Sequence, residues 1–443
     1  MAEARSISPS PQSGKEIAMT ITMPQQETLT TSLKQRNRAR WVAGFAKTQI
    51  LRRLQQLKIG RLTVIDGNES HHFGHLTDDK LQAVIHVHDA RFYGEIAFGG
   101  SIGAGEAYML GYWSADNLTN VIRLMCRNQS VMDTLEGGYQ WLTKPIMRVL
   151  HWLNSNTTEG SRKNIAAHYD LGNDLFQLFL DPTLMYSSAI FNESTATLQA
   201  ASELKLKTIC DKLDLKPHDH VLEIGTGWGG FAIYAATHYG CKVTTTTISE
   251  QQYLLAKSRV ESAGLSDQIT LLLDDYRHLQ GQYDKLVSIE MIEAVGYQFY
   301  DTYFSKVSAL LKPDGLALIQ AITIADQRYE SAKKSVDFIQ RYIFPGSCIP
   351  SNTAMLNSIT GKTDMRLYDL EDIGPHYATT LRMWRENFFA NIEQVRKLGY
   401  SEEFIKMWEF YLCYCEGGFE ERALGDVHLL LAKPDNRRAT VRQ

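Results

Sequence analysis

The spacing of apolar positions changes along the chain, and each change predicts a different element. Residues 1–30 are rich in Ser, Thr, Gln and Pro with few large apolar groups, so they cannot bury enough surface to offset ordering entropy and are expected to be disordered. Val42, Ala46, Ile50, Leu54 and Leu57 then recur at helical spacing beside Trp41 and Phe45. Residues 58–125 alternate short β-like runs with glycine-containing turns, as in Arg61-Leu-Thr-Val-Ile65 before Asp66-Gly67-Asn68. The glycine-rich run from Phe98 to Gly105 reads as a tight backbone turn. No Lys-Ser/Thr pair follows it, which argues against a Walker phosphate loop. Residues 118–165 read as largely helical.

From about residue 166 strands and helices alternate. Val221-Leu-Glu-Ile224 predicts a strand, followed by glycines and a helix through Ala236. Further strands are expected at Lys242 to Ile248, Gln268 to Leu273, Lys285 to Ile289 and 316–324, with helices near 249–263 and 299–311 between them. Such alternation implies an α/β fold with a mostly parallel, doubly wound sheet. Residues 330–425 are expected to be mainly helical, apart from a proline-interrupted stretch at 343–351. No internal repeat is evident.

Composition adds limits. At 443 residues, with 44% hydrophobic and 22% charged content, the chain is long enough for two or three ordinary globular domains. The most apolar run, Leu316 to Ala325, is half of what a bilayer span needs and reads as a buried strand. The first thirty residues lack a basic start followed by an apolar core, so no secretory signal is expected. The net charge of −4 argues against a nucleic-acid binder. That total hides an asymmetry. Between Thr28 and Ile65 lie nine Lys or Arg (34, 36, 38, 40, 47, 52, 53, 58, 61) and no acid, which leaves −13 elsewhere. A basic amphipathic helix there suits either an anionic membrane surface or a domain-packing role with a solvated basic face. The six dispersed cysteines form no CxxC pair, so no metal site is expected and a reducing cytosol suits them.

The chemistry concentrates at Glu223-Ile-Gly225-Thr-Gly227-Trp-Gly229-Gly230, on a strand-to-helix turn. Glycines there let the backbone bend sharply and approach a ligand. The string fits both a dinucleotide pattern and the acid-x-GxGxG of class I methyltransferases. A nicotinamide site wants an acid at the end of the second strand. Here that strand ends Thr244-Thr-Thr-Thr-Ile248, and Glu250 already lies at the helix start. Leu311-Lys-Pro-Asp-Gly315 before the last strands is typical of methyltransferases, and Asp274-Asp275-Tyr276 is placed for the adenosine end of a cofactor. S-adenosylmethionine is therefore favoured over NAD.

The segment His168-Tyr-Asp-Leu-Gly-Asn-Asp174, continuing through Leu180-Asp-Pro182 to Tyr186-Ser-Ser-Ala189, resembles the cyclopropane-fatty-acyl-phospholipid synthase family, which includes the mycolic-acid cyclopropane synthases. Glu290-Met-Ile-Glu-Ala-Val-Gly296, Tyr342-Ile-Phe-Pro345, Tyr377 to Trp384 and Cys415-Glu-Gly-Gly-Phe419 extend the likeness, as does Gly103 to Trp113. The resemblance implies a class I methyltransferase domain at 166–430 with a helical insertion at 330–425. It further implies a smaller α+β lipid- or membrane-associating domain at 31–125, a helical linker at 126–165 and a tail at 431–443. It implies methylene transfer from S-adenosylmethionine to a cis double bond of unsaturated phospholipid acyl chains, with bicarbonate as the active-site base. Glu293 and Tyr377 match groups that hold this anion. Tyr186, Ser187, Glu223, Gly225, Gly227, Gly229, Thr247, Gln252, Asp275, Tyr276 and Arg277 fall where the family binds the cofactor. Cys415 matches a cysteine assigned to the family active site, although this alkylation needs no covalent enzyme intermediate. A cytoplasmic protein at the inner face of the cytoplasmic membrane, and a homodimer, are further implications.

Three positions depart from the family pattern. Ser188 stands where Cys is usual, Gln320 where His is frequent, and Glu290 where a small residue is frequent. Gln donates a hydrogen bond to an anion but cannot shuttle a proton as His does. A methyl-branched or methylene product is therefore the alternative outcome. A non-catalytic lipid-binding protein is the alternative of another class. The aromatics Trp384, Phe388, Phe389, Trp408, Phe410, Tyr411 and Tyr414 are expected to form helical core or to line an acyl tunnel.

Overall fold

Strands that alternate with helices along the sequence stack into one sheet when each strand is buried on both faces. The run from Val221 to Ile224, at most 2% exposed, behaves in this way. The computed structural model describes residues 44–76, 80–131, 171–193, 195 and 197–438. The tail 1–30, the basic residues 34–40 and nearly all of the linker 126–165 lie outside them.

The N-terminal unit comprises helix α1 (44–54), strands β1 (Gly60–Asp66), β2 (Glu69–His75) and β3 (Gln82–Val87), helix α2 (Arg91–Met109), strand β4 (Trp113–Ala115) and helix α3 (Leu118–Arg127). Its sheet runs β2-β1-β3-β4, with β1 parallel to β3 and the other pairs antiparallel. Ala46, Ile50, Leu54 and Leu57 are buried in its core, so the apolar face of α1 packs inward and is unavailable to a bilayer. Lys47 is paired with Asp66 and Glu69, both at 2.7 Å. The glycine-rich run is not a turn. It lies inside α2, which is kinked at Gly100 (φ 57°, ψ −132°), a conformation that favours a residue without Cβ.

The second sheet is built from β5 (His220–Ile224), β6 (Lys242–Thr247), β7 (Ile269–Leu273), β8 (Tyr283–Ile289), β9 (Leu311–Ile324), β10 (Arg366–Asp372) and β11 (Leu424–Ala432), in the order β10-β11-β9-β8-β5-β6-β7. Pairs from β7 to β9 are parallel, while β11 runs antiparallel to both β9 and β10. Helices α4 (Asn173–Gln177), α5 (Leu198–Leu213), α6 (Gly230–Tyr239), α7 (Glu250–Ser262), α8 (Tyr300–Ala309), α9 (Asp326–Ala332) and α10 (Asn352–Lys362) precede the final trio α11 (Gly374–Ala390), α12 (Ile392–Lys397) and α13 (Glu402–Glu420). The chain order of strands reverses between β5 and β8, and both carboxyl ends open on the same edge, where open α/β sheets bind ligands.

Three expectations need correction. Strand β10 interrupts the helical insertion and pairs with β11, because the alternation in Arg366–Asp372 is too polar to stand out at a sheet edge. The Lys312-Pro-Asp-Gly315 stretch, whose composition suits a tight turn before the last strands, is absorbed into β9, with a register shift between Tyr283 and Lys285. Residues 431–438 are no free tail. Leu431 and Ala432 are fully buried in β11, Lys433 bonds Asp364, and Arg438 bonds the carbonyl of Lys212.

Helix α13 joins the two units. Gly417 lets it approach α3 so closely that a Cβ would stand 2.8 Å from Ile122. Around this contact Arg123 and Arg127 converge on Glu421, and Thr119 and Arg385 converge on Glu416.

Candidate active site

The edge at the β5–β8 junction opens into a cavity of about 1010 Å³. On its β5 side the chain leaves Ile224 through Gly225, Gly227 and Gly229, with φ of 102°, 51° and 85°. This backbone is open only to glycine at low cost, and it leaves a cradle facing the cavity. Arg259 of α7 staples the turn by donating to the carbonyls of Trp228, Thr183 and Pro182. Tyr186, Ser187, Glu223, Gly225, Gly227, Thr247, Gln252, Asp275, Tyr276 and Arg277 border the cavity, whereas Gly229 shapes the turn from behind. Thr247 donates to Gln252, and Asp275 spends its carboxylate on the Arg277 guanidinium at 2.8 and 2.7 Å. Glu223 is buried and accepts from Thr245 at 2.6 Å; burial pushes its carboxyl up to about 8. The glycine cradle with these polar groups fits S-adenosylmethionine.

On the β8 side, Glu290 follows the strand with φ 46°, an uncommon backbone for a residue with a side chain. Its Oε1 accepts from the Ser188 backbone N–H at 2.8 Å and from Gln320 Nε2 at 2.7 Å. Its Oε2 accepts from the Tyr377 hydroxyl at 2.6 Å. Ser188 and Gln320 are fully buried behind Glu290 and do not border the cavity; Glu290, Glu293, Tyr377 and Cys415 do. The donors assigned by resemblance to bicarbonate are thus already spent on a side-chain carboxylate. The residues present do not fit that ion at this place.

Three acids share the centre. Glu293 Oε1 accepts from the Ile322 N–H, while its Oε2 is buried without a partner. Burial, and then the nearby Glu290, push Glu293 up to about 8. Asp426 of β11 is fully buried; it accepts from Gln320 at 2.9 Å through Oδ2, and its Oδ1 has no partner. Burial and Glu290 push Asp426 well above its ordinary range. Burial raises Glu290 too, but Tyr377, the Ser188 N–H and Lys205 oppose the rise. Three donors against one assign the negative charge to Glu290 and protons to Asp426 and Glu293. Lys205 is the buried countercharge, donating to Ser187 at 2.7 Å, and burial pulls it down to about 8.

Behind the amide, Lys212 donates to His428 Nδ1 at 3.0 Å, which leaves the Nε2 proton of His428 to face Gln320 Oε1 at 3.3 Å. This contact, with the Glu290 and Asp426 carboxyl groups on the other side, fixes the orientation of Gln320. Sequence reasoning did not find Asp426, His428, Lys205 or Arg259. The one available signal was the pair of polar residues alternating with Val427 and Leu429 in an otherwise apolar strand.

The helical aromatics divide. Trp384, Phe388 and Trp408 are fully buried core, Phe410, Tyr411 and Tyr414 border the cavity, and Phe389 is 36% exposed. Cys415 also borders the cavity; burial pushes its thiol up, so it offers no thiolate.

A family model described as mycolic acid cyclopropane synthetase matches residues 156–429. The tuberculostearic acid methyltransferase UfaA1 of Mycobacterium tuberculosis is 42% identical over 339 residues, covering 74% of this chain and 78% of its own. The cyclopropane-fatty-acyl-phospholipid synthase of Escherichia coli K12 is 38% identical over 343 residues, covering 77% and 85%. Among solved structures, the mycolic acid cyclopropane synthase CmaA1 complexed with SAH and CTAB superposes with a TM-score of 0.56 at 29% identity, covering 61% of this chain and 98% of its own. Residues 44–131, the N-terminal unit, lie outside the family model.

Proposed function

The chain belongs to the mycolic acid cyclopropane synthetase family and is an S-adenosylmethionine-dependent methyltransferase that modifies lipid double bonds; we propose that its substrates are cis-unsaturated acyl chains of membrane phospholipids and its product a cyclopropane. The carrying observation is the Glu290 carboxyl group, held by three donors where the cofactor cradle opens on the cavity.

S-adenosylmethionine supplies an electrophilic methyl group. Tyr186, Gln252 and the glycine turn border its place, and the apolar walls exclude water from the olefin. Methyl addition to the double bond leaves one positive charge on the acyl chain. The ionised Glu290 faces that charge and takes a proton from the added carbon, whose C–H electron pair closes the ring. Tyr377, Gln320 and the Ser188 N–H hold the carboxylate during this transfer, and protonated Glu293 and Asp426 leave it the single anion of the trio.

A second product is favoured by one observation: Glu290 belongs to the chain and is fixed in place, so the proton it reaches decides between ring and branch. Removal from a neighbouring chain carbon would leave a methyl-branched olefin, and a hydride shift followed by removal from the added carbon would leave a methylene lipid. Purified protein incubated with S-adenosylmethionine and unsaturated phospholipid vesicles should yield lipid that gains one CH2 and loses its olefin, with cyclopropane protons in the NMR spectrum. Vinyl or branched-methyl signals would select the second product; unchanged lipid with bound cofactor would overturn both. Peripheral attachment to the inner face of the cytoplasmic membrane and a homodimer belong to the same proposal, checked by vesicle flotation and sedimentation. Among the described residues no helix is long and apolar enough to cross a membrane.

A further inference from the structure

Protein cores are packed to the density of organic crystals and leave few voids larger than a water molecule. The core of the N-terminal unit departs from this. Leu54, Leu62, Val64, Ile85, Trp113 and Val121 are at most 6% exposed, yet all border the same cavity as Glu290 and the glycine cradle. The wall along α2 is lowered by Gly100, Ser101 and Ala104, at the Gly100 kink. That gives the glycine-rich run a purpose that neither a phosphate loop nor a turn supplied. The whole cavity lies at the upper end of the roughly 300–1,000 Å³ typical of small-molecule sites. Left empty, apolar space costs about 24 cal/mol per Å³.

We infer that the interior of the N-terminal unit binds the methyl-terminal part of the acyl chain, which runs from the reaction centre past the small residues of α2 into the space beneath β1 and β3. The inference rests on the reading of the enzyme as acting on unsaturated acyl chains. The methyl end needs no hydrogen-bond partner and loses nothing by entering such walls. A phosphate headgroup would strand its charge there. Arg328 and Lys333 also line the cavity, Arg328 within electrostatic reach of Cys126; a headgroup finds its charge partner there and not among Leu62, Val64, Ile85 and Trp113.

Two variants narrow the space from opposite walls, Val64→Phe and Ala104→Leu, each first confirmed to bind S-adenosylhomocysteine as the wild type does. Phosphatidylglycerol vesicles carrying myristoleoyl, palmitoleoyl or oleoyl chains keep the carboxyl-to-olefin spacing and lengthen only the methyl end. Cis-vaccenoyl chains share the methyl end of palmitoleoyl and lengthen the other side. The oleoyl-to-myristoleoyl ratio of kcat/KM is expected to fall roughly tenfold or more in the variants, with the palmitoleoyl-to-vaccenoyl ratio unchanged. Equal loss on all chains, or sensitivity to the carboxyl side, overturns the inference. The wild type supplies a check free of folding effects: phospholipid with a diazirine at the acyl methyl end should cross-link to peptides within residues 50–126. Labelling confined to 171–438 also overturns it. A wild type that turns over none of the lipids refutes the proposed function instead.

Discussion

Glu290 holds a left-handed backbone with a bulky side chain, a conformation worth about 1–3 kcal/mol of strain. Strain of this kind persists where the surroundings over-determine it, and three hydrogen bonds do so here. Glu290→Gln should lower turnover about 10²- to 10⁴-fold while S-adenosylhomocysteine binding by calorimetry stays intact. Because the base must be ionised, wild-type activity should fall as pH drops through the Glu290 titration, which burial moves above the ordinary 4.5. Glu293 gives a separate stability prediction. The folded protein keeps its proton up to about 8, whereas the unfolded chain releases it near 4.5. The native state therefore binds more protons across that window, and stability is lost as pH rises through it. Glu293→Gln carries no such titration, so its urea midpoint should gain on the wild type from about pH 4.5 to 8 and then run parallel to it. Glu293, Tyr377 and the glycine turn were legible as motifs. Ser188, Gln320 and Glu290 were legible as departures from the family pattern, but their convergence with Tyr377 on one carboxyl group was not, nor was Asp426, because these residues stand in distant segments that only the fold brings together.

Among elements, the parallel strands were legible as short apolar runs or, in β6 (Lys242–Thr247), as a run of β-branched residues. Two others misled. Helix α2 carries four glycines between Phe98 and Gly105, a composition that local propensity assigns to a turn. Packing overrides that preference: at Gly105 a Cβ would stand 2.4 Å from Phe338, and at Gly103 only 2.0 Å from the Glu95 carbonyl oxygen. Strand β10 is half-exposed and charged, so only its pairing with β11 defines it. Helix α13 binds the units through Glu421, whose side chain is 7% exposed between two arginines. Glu421→Gln removes the shared anion and leaves Arg123 and Arg127 facing each other. With the arginines partly solvated, the cost should be about 2 kcal/mol by urea unfolding, and the N-terminal unit should gain a separate, earlier transition.

For the whole molecule, the proposed attachment to a lipid surface would draw on the basic window between Thr28 and Ile65. The apolar face of α1 is buried and Lys47 is neutralised by Asp66 and Glu69, so that helix cannot insert face-down. Attraction to a bilayer then has to be electrostatic, carried by Arg36, Arg38 and Arg40 together with exposed Arg52 and Lys58. Each basic residue near an anionic leaflet is worth about 1 kcal/mol, and the effect decays within a Debye length of about 8 Å at physiological salt. Reversing Arg36, Arg38 and Arg40 to Glu should weaken binding to phosphatidylglycerol-containing vesicles by about a hundredfold or more. Turnover of short unsaturated lipid in detergent micelles should be unchanged, because the hydrogen bonds that hold Glu290 come from Ser188, Gln320 and Tyr377 and not from these residues. Wild-type binding should fall steeply with added salt and be weak on neutral phosphatidylcholine. Equal affinity for both lipids, or indifference to salt, would mean that apolar contacts from another face hold the enzyme at the membrane.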